Sequence, residues 1–242
     1  MFGGYSGGYG TSHAMFGLDW TVLLLIGGFV LTMLVSAQMK NTTAKYSKIQ
    51  SRSGLTGAQA ALQILHAAGI TDVAVRSIPG QLTDHYDPRN KTVNLSETSY
   101  QRASLTAVGV AAHECGHAIQ DNTGYVPLKL RSAIVPAANL GSTLSWPIFL
   151  VGLFSGLSFL TTIGIILFTA AVIFQLVTLP VELNASSRAL KMLENTHIMQ
   201  EDELSGSRKV LRAAAMTYVA ALASSILQLL RLIILAGGRN RD

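Results

Sequence analysis

The chain has 242 residues, 49% of them apolar and only 13% charged, with a formal net charge of +5. That balance is too apolar for an ordinary water-soluble domain and points to an integral membrane protein. The positive charge lies in segments flanking the apolar runs, where anionic lipid accounts for it, so no nucleic-acid partner is expected. The single cysteine, Cys115, excludes an intramolecular disulfide and fits a reducing compartment.

In chain order, residues 1–19 form a Gly/Tyr-rich stretch of low complexity, expected as a disordered extracytoplasmic tail. Residues 20–38 are long and apolar enough for a first transmembrane helix. No basic residue precedes this run, whereas Lys40, Lys45, Lys48 and Arg52 follow it. It therefore predicts an uncleaved anchor with its inner end in the cytoplasm.

Residues 39–142 are the part polar enough to fold in water, and are expected as the cytoplasmic domain. Leu55–Ala68 carries Ala58, Ala61, Leu62 and Leu65 at helical spacing, with Gly69 positioned to end the helix. Val73–Val75 and Lys91–Leu95 read as short strands, separated by turn signals at Pro79-Gly80 and Asp87-Pro88-Arg89-Asn90. Thr92-Val93-Asn94-Leu95 is a candidate edge strand, to which a peptide substrate would add as a further strand; a plain structural hairpin is the alternative. His85, within Asp84-His85-Tyr86-Asp87, reads as part of a solvated turn.

A helix over 103–120, with Ser104 as its capping residue, carries His113-Glu114-Cys115-Gly116-His117. Residues i and i+4 share a helix face, so both imidazoles aim at one point in space. Glu114 lies about 100° away, able to reach a water beside the metal but not to share the histidines' direction. Two ligands and one general base are the pattern of a zinc hydrolase. Chance would place HExxH in roughly 0.4% of shuffled chains of this composition, so the helical context matters. Cys115 faces away from the histidines and reads as a small packing residue.

Ser132 to Val181 contains fifty residues without one Asp, Glu, Lys or Arg. It predicts two transmembrane helices within 143–181, at about 143–160 and 163–180, turning among Ser155, Gly156, Ser158, Thr161, Thr162 and Gly164. Residues 182–212 form a cytoplasmic segment with Arg188, Lys191, Arg208, Lys209 and Arg212. A fourth transmembrane helix is expected at 213–236, although Gln228 and Arg231 weaken it, and 237–242 is a short tail. Arg239 and Arg241 would then lie outside, against the positive-inside tendency. A catalytic zinc wants a third protein ligand, and Glu182, the first charge after the uncharged run, is the candidate.

The pairing of HECGHAIQ with LPVELNASSRAL, the span before HExxH and the two after it resemble the bacterial membrane zinc metallopeptidases of the YugP type. The likeness covers nearly the whole chain. It is more distantly similar to the HtpX and CAAX prenyl protease families, whose third ligand is the glutamate of an E-x-x-x-D motif. By position Glu182 matches that glutamate and Ser186 stands where the aspartate would be. The resemblance implies that Ser186, or Asn184 in its place, steadies a ligand histidine through its other ring nitrogen. Arg188 and His197 are candidate donors to the oxyanion, with surface or lipid-facing roles the favoured alternative for each.

These readings combine into one expectation. The protein is a mainly α integral membrane protein with three to four transmembrane helices and a small α+β zincin-like cytoplasmic domain. It is a multi-pass protein of the plasma (inner) membrane, with its active site facing the cytoplasm. Zinc held by His113, His117 and Glu182 activates a water, Glu114 is the general base, and peptides or membrane proteins are the substrates, with any adaptor unidentified. The alternative is a non-catalytic scaffold in which the metal only fastens the cytoplasmic segment to the membrane helices.

Overall fold

The computed structural model describes residues 20–238; the predicted disordered tail and the terminal Arg239 and Arg241 lie outside them. The chain runs α1 (Val22–Tyr46), α2 (Gly57–Ala67), β1 (Ala74–Ile78), β2 (His85–Asp87), β3 (Thr92–Ser96), α3 (Glu97–Gln101), α4 (Leu105–Asn122), α5 (Val126–Ser155), α6 (Ser158–Asn195) and α7 (Glu201–Gly238). Four of these helices, α1, α5, α6 and α7, are long and apolar enough to cross a membrane.

The membrane helices pack in a row, α5 beside α6, α6 beside α7 and α7 beside α1. Small residues let their backbones approach. An added Cβ on Gly164 would lie 2.9 Å from the Phe149 backbone, and one on Gly28 would lie 3.3 Å from Ser224 Cα. The α5–α6 turn falls at Gly156, whose φ of 82° closes α5 in the left-handed conformation. The two helices are thus longer than the predicted spans, and Thr161, Thr162 and Gly164 lie inside α6. Pro136, Pro147 and Pro180 sit within helices without ending them.

Between α1 and α5 the chain builds a small apolar core. Thr56 caps α2 reciprocally with Gln59, and α2 packs on α4. Ser104 caps α4 by accepting from the Ala107 N–H at 3.2 Å. Ile64, Leu65, Val93, Leu95, Val108 and Leu193 are fully enclosed in one apolar cluster.

The sheet corrects two expectations. Its order is β1-β3-β2, with β3 parallel to β1 and antiparallel to β2. Thr92, Val93, Asn94 and Leu95 therefore form the central, wholly buried strand rather than an open edge. The edge beside the candidate site is β2. His85 belongs to that strand and not to a solvated turn; its Nδ1 lies 2.8 Å from the Thr83 carbonyl and its Nε2 is 3.2 Å from Asn94 Nδ2. Three residues are too few to show an alternating pattern, and β2 exists because β3 pairs with it. The hairpin is fastened to α4 through Asp121, which accepts from the Tyr86 hydroxyl at 2.8 Å and pairs with Lys91 Nζ at 2.6 Å.

Candidate metal centre

Helix α4 is enclosed on nearly every side. It lies against α2, α6 and α7, and the face carrying His113 and His117 looks onto α6. Gly116 makes that crossing possible, because an added Cβ would sit 2.4 Å from the Ala185 carbonyl oxygen. Cys115 points the opposite way, fully buried against α2, with its thiol 3.5 Å from the Ala61 carbonyl. Burial pushes that thiol far above its ordinary range, as befits an inert packing residue.

On α6, Glu182 lies two residues after Pro180 and is 2% exposed, so its carboxylate is committed to the protein interior. Glu182 Oε2 is 3.2 Å from His113 Nε2 and 3.5 Å from His117 Nε2. The ligand atoms of all three residues lie within 4.8 Å of one another. Tetrahedral zinc with bonds of about 2.0–2.1 Å sets its ligand atoms about 3.3 Å apart, so this donor set fits the ion. Burial alone would raise the Glu182 carboxyl pKa, but hydrogen bonds from His113 and His117 hold it far below the usual carboxylate range. Burial likewise opposes charge on His117, yet the Glu182 contact raises its pKa above the ordinary histidine value. The cluster is built for a cation.

Each imidazole is held through its other nitrogen. Ser186, one turn beyond Glu182, places its hydroxyl 3.1 Å from His113 Nδ1. His117 Nδ1 is 3.0 Å from Gln120 Oε1. The Gln120 amide nitrogen donates to the Val181 carbonyl at 2.8 Å and to Asn184 Oδ1 at 3.0 Å. Because the amide nitrogen of Gln120 is the donor in those bonds, its oxygen faces the ring, and His117 Nδ1 carries the proton. Nε2 of each ring faces Glu182 Oε2, where a shared metal would take the place of the hydrogen-bonding proton.

Asn184 is thus one step removed, supporting Gln120 rather than a histidine. Arg188 donates from Nε to Asn184 Oδ1 at 2.8 Å and lies over the Tyr125 ring at 5.7 Å. It braces the network and lines neither cavity at the metal cluster. His197 sits in the turn after α6, with φ 53°, about 20 Å along the helix axis from Glu182. His197 likewise lines neither cavity. The structure supplies two residues that the sequence did not signal. Arg131 Nη1 on α5 lies 3.2 Å from Glu182 Oε1. Tyr218 on α7 lines the cavities on both sides of the cluster, together with His113 and Glu114. Glu114 is 7% exposed and opens onto both cavities.

Comparison with known proteins gives the family. Residues 21–237 match the model of the family described as "Putative neutral zinc metallopeptidase". The chain is 44% identical over 222 residues to the "Putative membrane protease YugP" of Bacillus subtilis (strain 168), covering 91% of this chain and 99% of that protein. No solved structure matches the chain.

Proposed function

The chain belongs to the family described as "Putative neutral zinc metallopeptidase", and we propose from that membership that it is a membrane-embedded zinc endopeptidase acting on membrane or membrane-proximal proteins. The observation that carries this reading is the meeting of Glu182 Oε2 with both HExxH imidazoles at 3.2 and 3.5 Å. His113, His117 and Glu182 would hold the ion. When bound, zinc lowers the pKa of water towards neutrality and polarises a carbonyl oxygen.

The rest of the chemistry falls to side chains. Glu114 takes a proton from the attacking water and returns it to the leaving amine. The water oxygen bonds to the carbonyl carbon and the C–N bond breaks. The Tyr218 hydroxyl is the donor to the carbonyl oxygen as its charge develops. Arg131 balances the second oxygen of Glu182, while Ser186 and Gln120 keep both imidazoles turned with Nε2 inward. The substrate main chain pairs with the outer edge of β2, whose His85 and Tyr86 line the cavity at the cluster.

In this reading α2, the sheet and α4 make a small zincin-like cytoplasmic domain. The basic residues that follow the uncharged runs of α1 and α6, Lys40, Lys45, Arg188 and Lys191 among them, orient the site towards the cytoplasm of a plasma-membrane protein. Glu114→Gln in the purified full-length protein tests the mechanism. Its zinc content should equal that of the wild type, while casein cleavage falls by about 10²–10⁴-fold. Undiminished cleavage sinks the assignment of the base.

A further inference from the structure

Each of the four membrane helices has a point at which its uncharged stretch ends. On α1, residues 20–39 carry no charge and Lys40 is the first. On α5 and α6, the fifty uncharged residues run from Ser132 to Val181, bounded by Arg131 and Glu182. On α7, residues 213–230 are uncharged and Arg212 precedes them. These points are far apart in sequence, yet the structure gathers them at the metal cluster. Arg131 and Glu182 touch at 3.2 Å. Met39 and Thr43 of α1 line the same cavity as His113 and Glu114, and so do Ala214 and Tyr218 of α7. A charged group is excluded from hydrocarbon, so these residues mark the membrane boundary on each helix. The cluster lies at that boundary, within about one helical turn, or about 5 Å, of it.

A second feature joins the cluster to the bilayer. A cavity of about 670 Å³ runs along α1 from Ser36, inside the uncharged run, to Arg102. It shares Met39, Thr43, Leu82 and Val110 with the cavity that holds His113, Glu114 and Glu182. Leu82, 66% exposed and held at φ 57°, offers an apolar side chain to this passage. An apolar groove that begins at membrane depth and ends at the metal ligands suits an extended segment just emerging from the bilayer.

We infer that the enzyme measures distance from the membrane: it cuts membrane-protein substrates within about the first five residues after their transmembrane segment, fed along the Met39–Leu82–Val110 groove. An extended chain advances about 3.3 Å per residue, so a bond held about 5 Å from the boundary, with slack for the approach, falls in that range. This rests on the peptidase reading given above.

The test uses full-length enzyme co-reconstituted in liposomes with single-span substrates. Their unstructured cytoplasmic tails carry one cleavable cassette placed 3, 6, 12 or 24 residues from the span, in a ladder whose steps about double. Cut bonds are mapped by mass spectrometry. The expected result is cleavage confined to the first few residues, at a fixed distance from the membrane whichever cassette is present, and at least tenfold slower beyond about ten residues. Leu82→Asn, which tolerates the positive φ, should slow tethered substrates about fivefold while leaving zinc content unchanged. Cuts that follow the cassette to every distance overturn the ruler and leave the peptidase standing. Equal cutting of the same tails detached from their spans does the same. No cutting of any substrate by zinc-loaded wild type, indistinguishable from Glu114→Gln, overturns the peptidase and the ruler together.

Discussion

Helices α1 and α4 are both apolar, but for opposite reasons. Of the 25 residues of α1, only Gly28 and Tyr46 are buried in the protein; Leu23, Phe29, Met33 and Leu34 face outward. Of the 18 residues of α4, thirteen are buried, among them Glu114 and His117. Lipid takes the place of a core for α1, whereas α2, α6 and α7 supply one for α4. Apolar sequence in α1 therefore sets depth, and apolar sequence in α4 sets packing. The metal cluster lies where the packed helix meets the lipid-bounded ones, so it depends on both.

The sharpest way to break the comparison is at the α4–α6 crossing. Gly116→Ala places a methyl against the Ala185 carbonyl, and backbone cannot yield as a side chain tip can. The expected cost is about 1–3 kcal/mol of stability, together with loss of stoichiometric zinc, measured by thermal unfolding and metal analysis. Full zinc occupancy with normal stability would mean that the helices do not cross as described. A buried-against-lipid pair sharpens the same contrast. Leu193→Ala, in the enclosed cluster, should cost about 2–5 kcal/mol. Leu34→Ala, 61% exposed on α1, should cost less than about 0.5 kcal/mol.

Subtler effects are expected at the histidines' outer nitrogens. Gln120→Ala and Ser186→Ala should each weaken zinc about 10–100-fold without unfolding the protein, read by competition with a chelating dye. Gln120→Ala should have the larger effect, since it also frees the Val181 carbonyl and Asn184. The mildest effect is on pH. His117 retains its proton above the ordinary histidine value in the metal-free protein. Zinc must displace that proton, so apparent affinity falls as pH drops below the raised pKa and flattens above it. A pH-independent affinity would contradict the imidazole contact.

How far the sequence reaches follows from the same contrast. The HExxH helix, its Ser104 cap and the turning of Cys115 away from the histidines are legible because helical spacing fixes direction locally. The pairing of Glu182 with Ser186 is legible because i and i+4 share a face and because the two positions match the E-x-x-x-D motif of the similar families. Gln120 lies three residues after His117, on the same face, but a polar residue near a helix end carries no signal of its own. Arg131 and Tyr218 left no local signal, since each reaches the cluster only through tertiary packing of α5 and α7. The strand order failed for the same reason: nothing within Thr92–Leu95 says that β1 and β2 flank it on both sides. Helix ends are not legible because membrane helices carry no amphipathic period, and because Pro136, Pro147 and Pro180 lie within α5 and α6 without ending them.

The central claim is a single ion held by two imidazoles and one carboxylate at the membrane boundary. X-ray absorption at the zinc edge of the detergent-purified full-length protein tests it directly, on wild type and Glu182→Ala. Four light-atom ligands at about 2.0–2.1 Å, two of them with imidazole scattering, are expected for the wild type, and Glu182→Ala should lose its carboxylate oxygen along with most of its affinity. A sulfur ligand, or a spectrum unchanged by Glu182→Ala, would contradict the account.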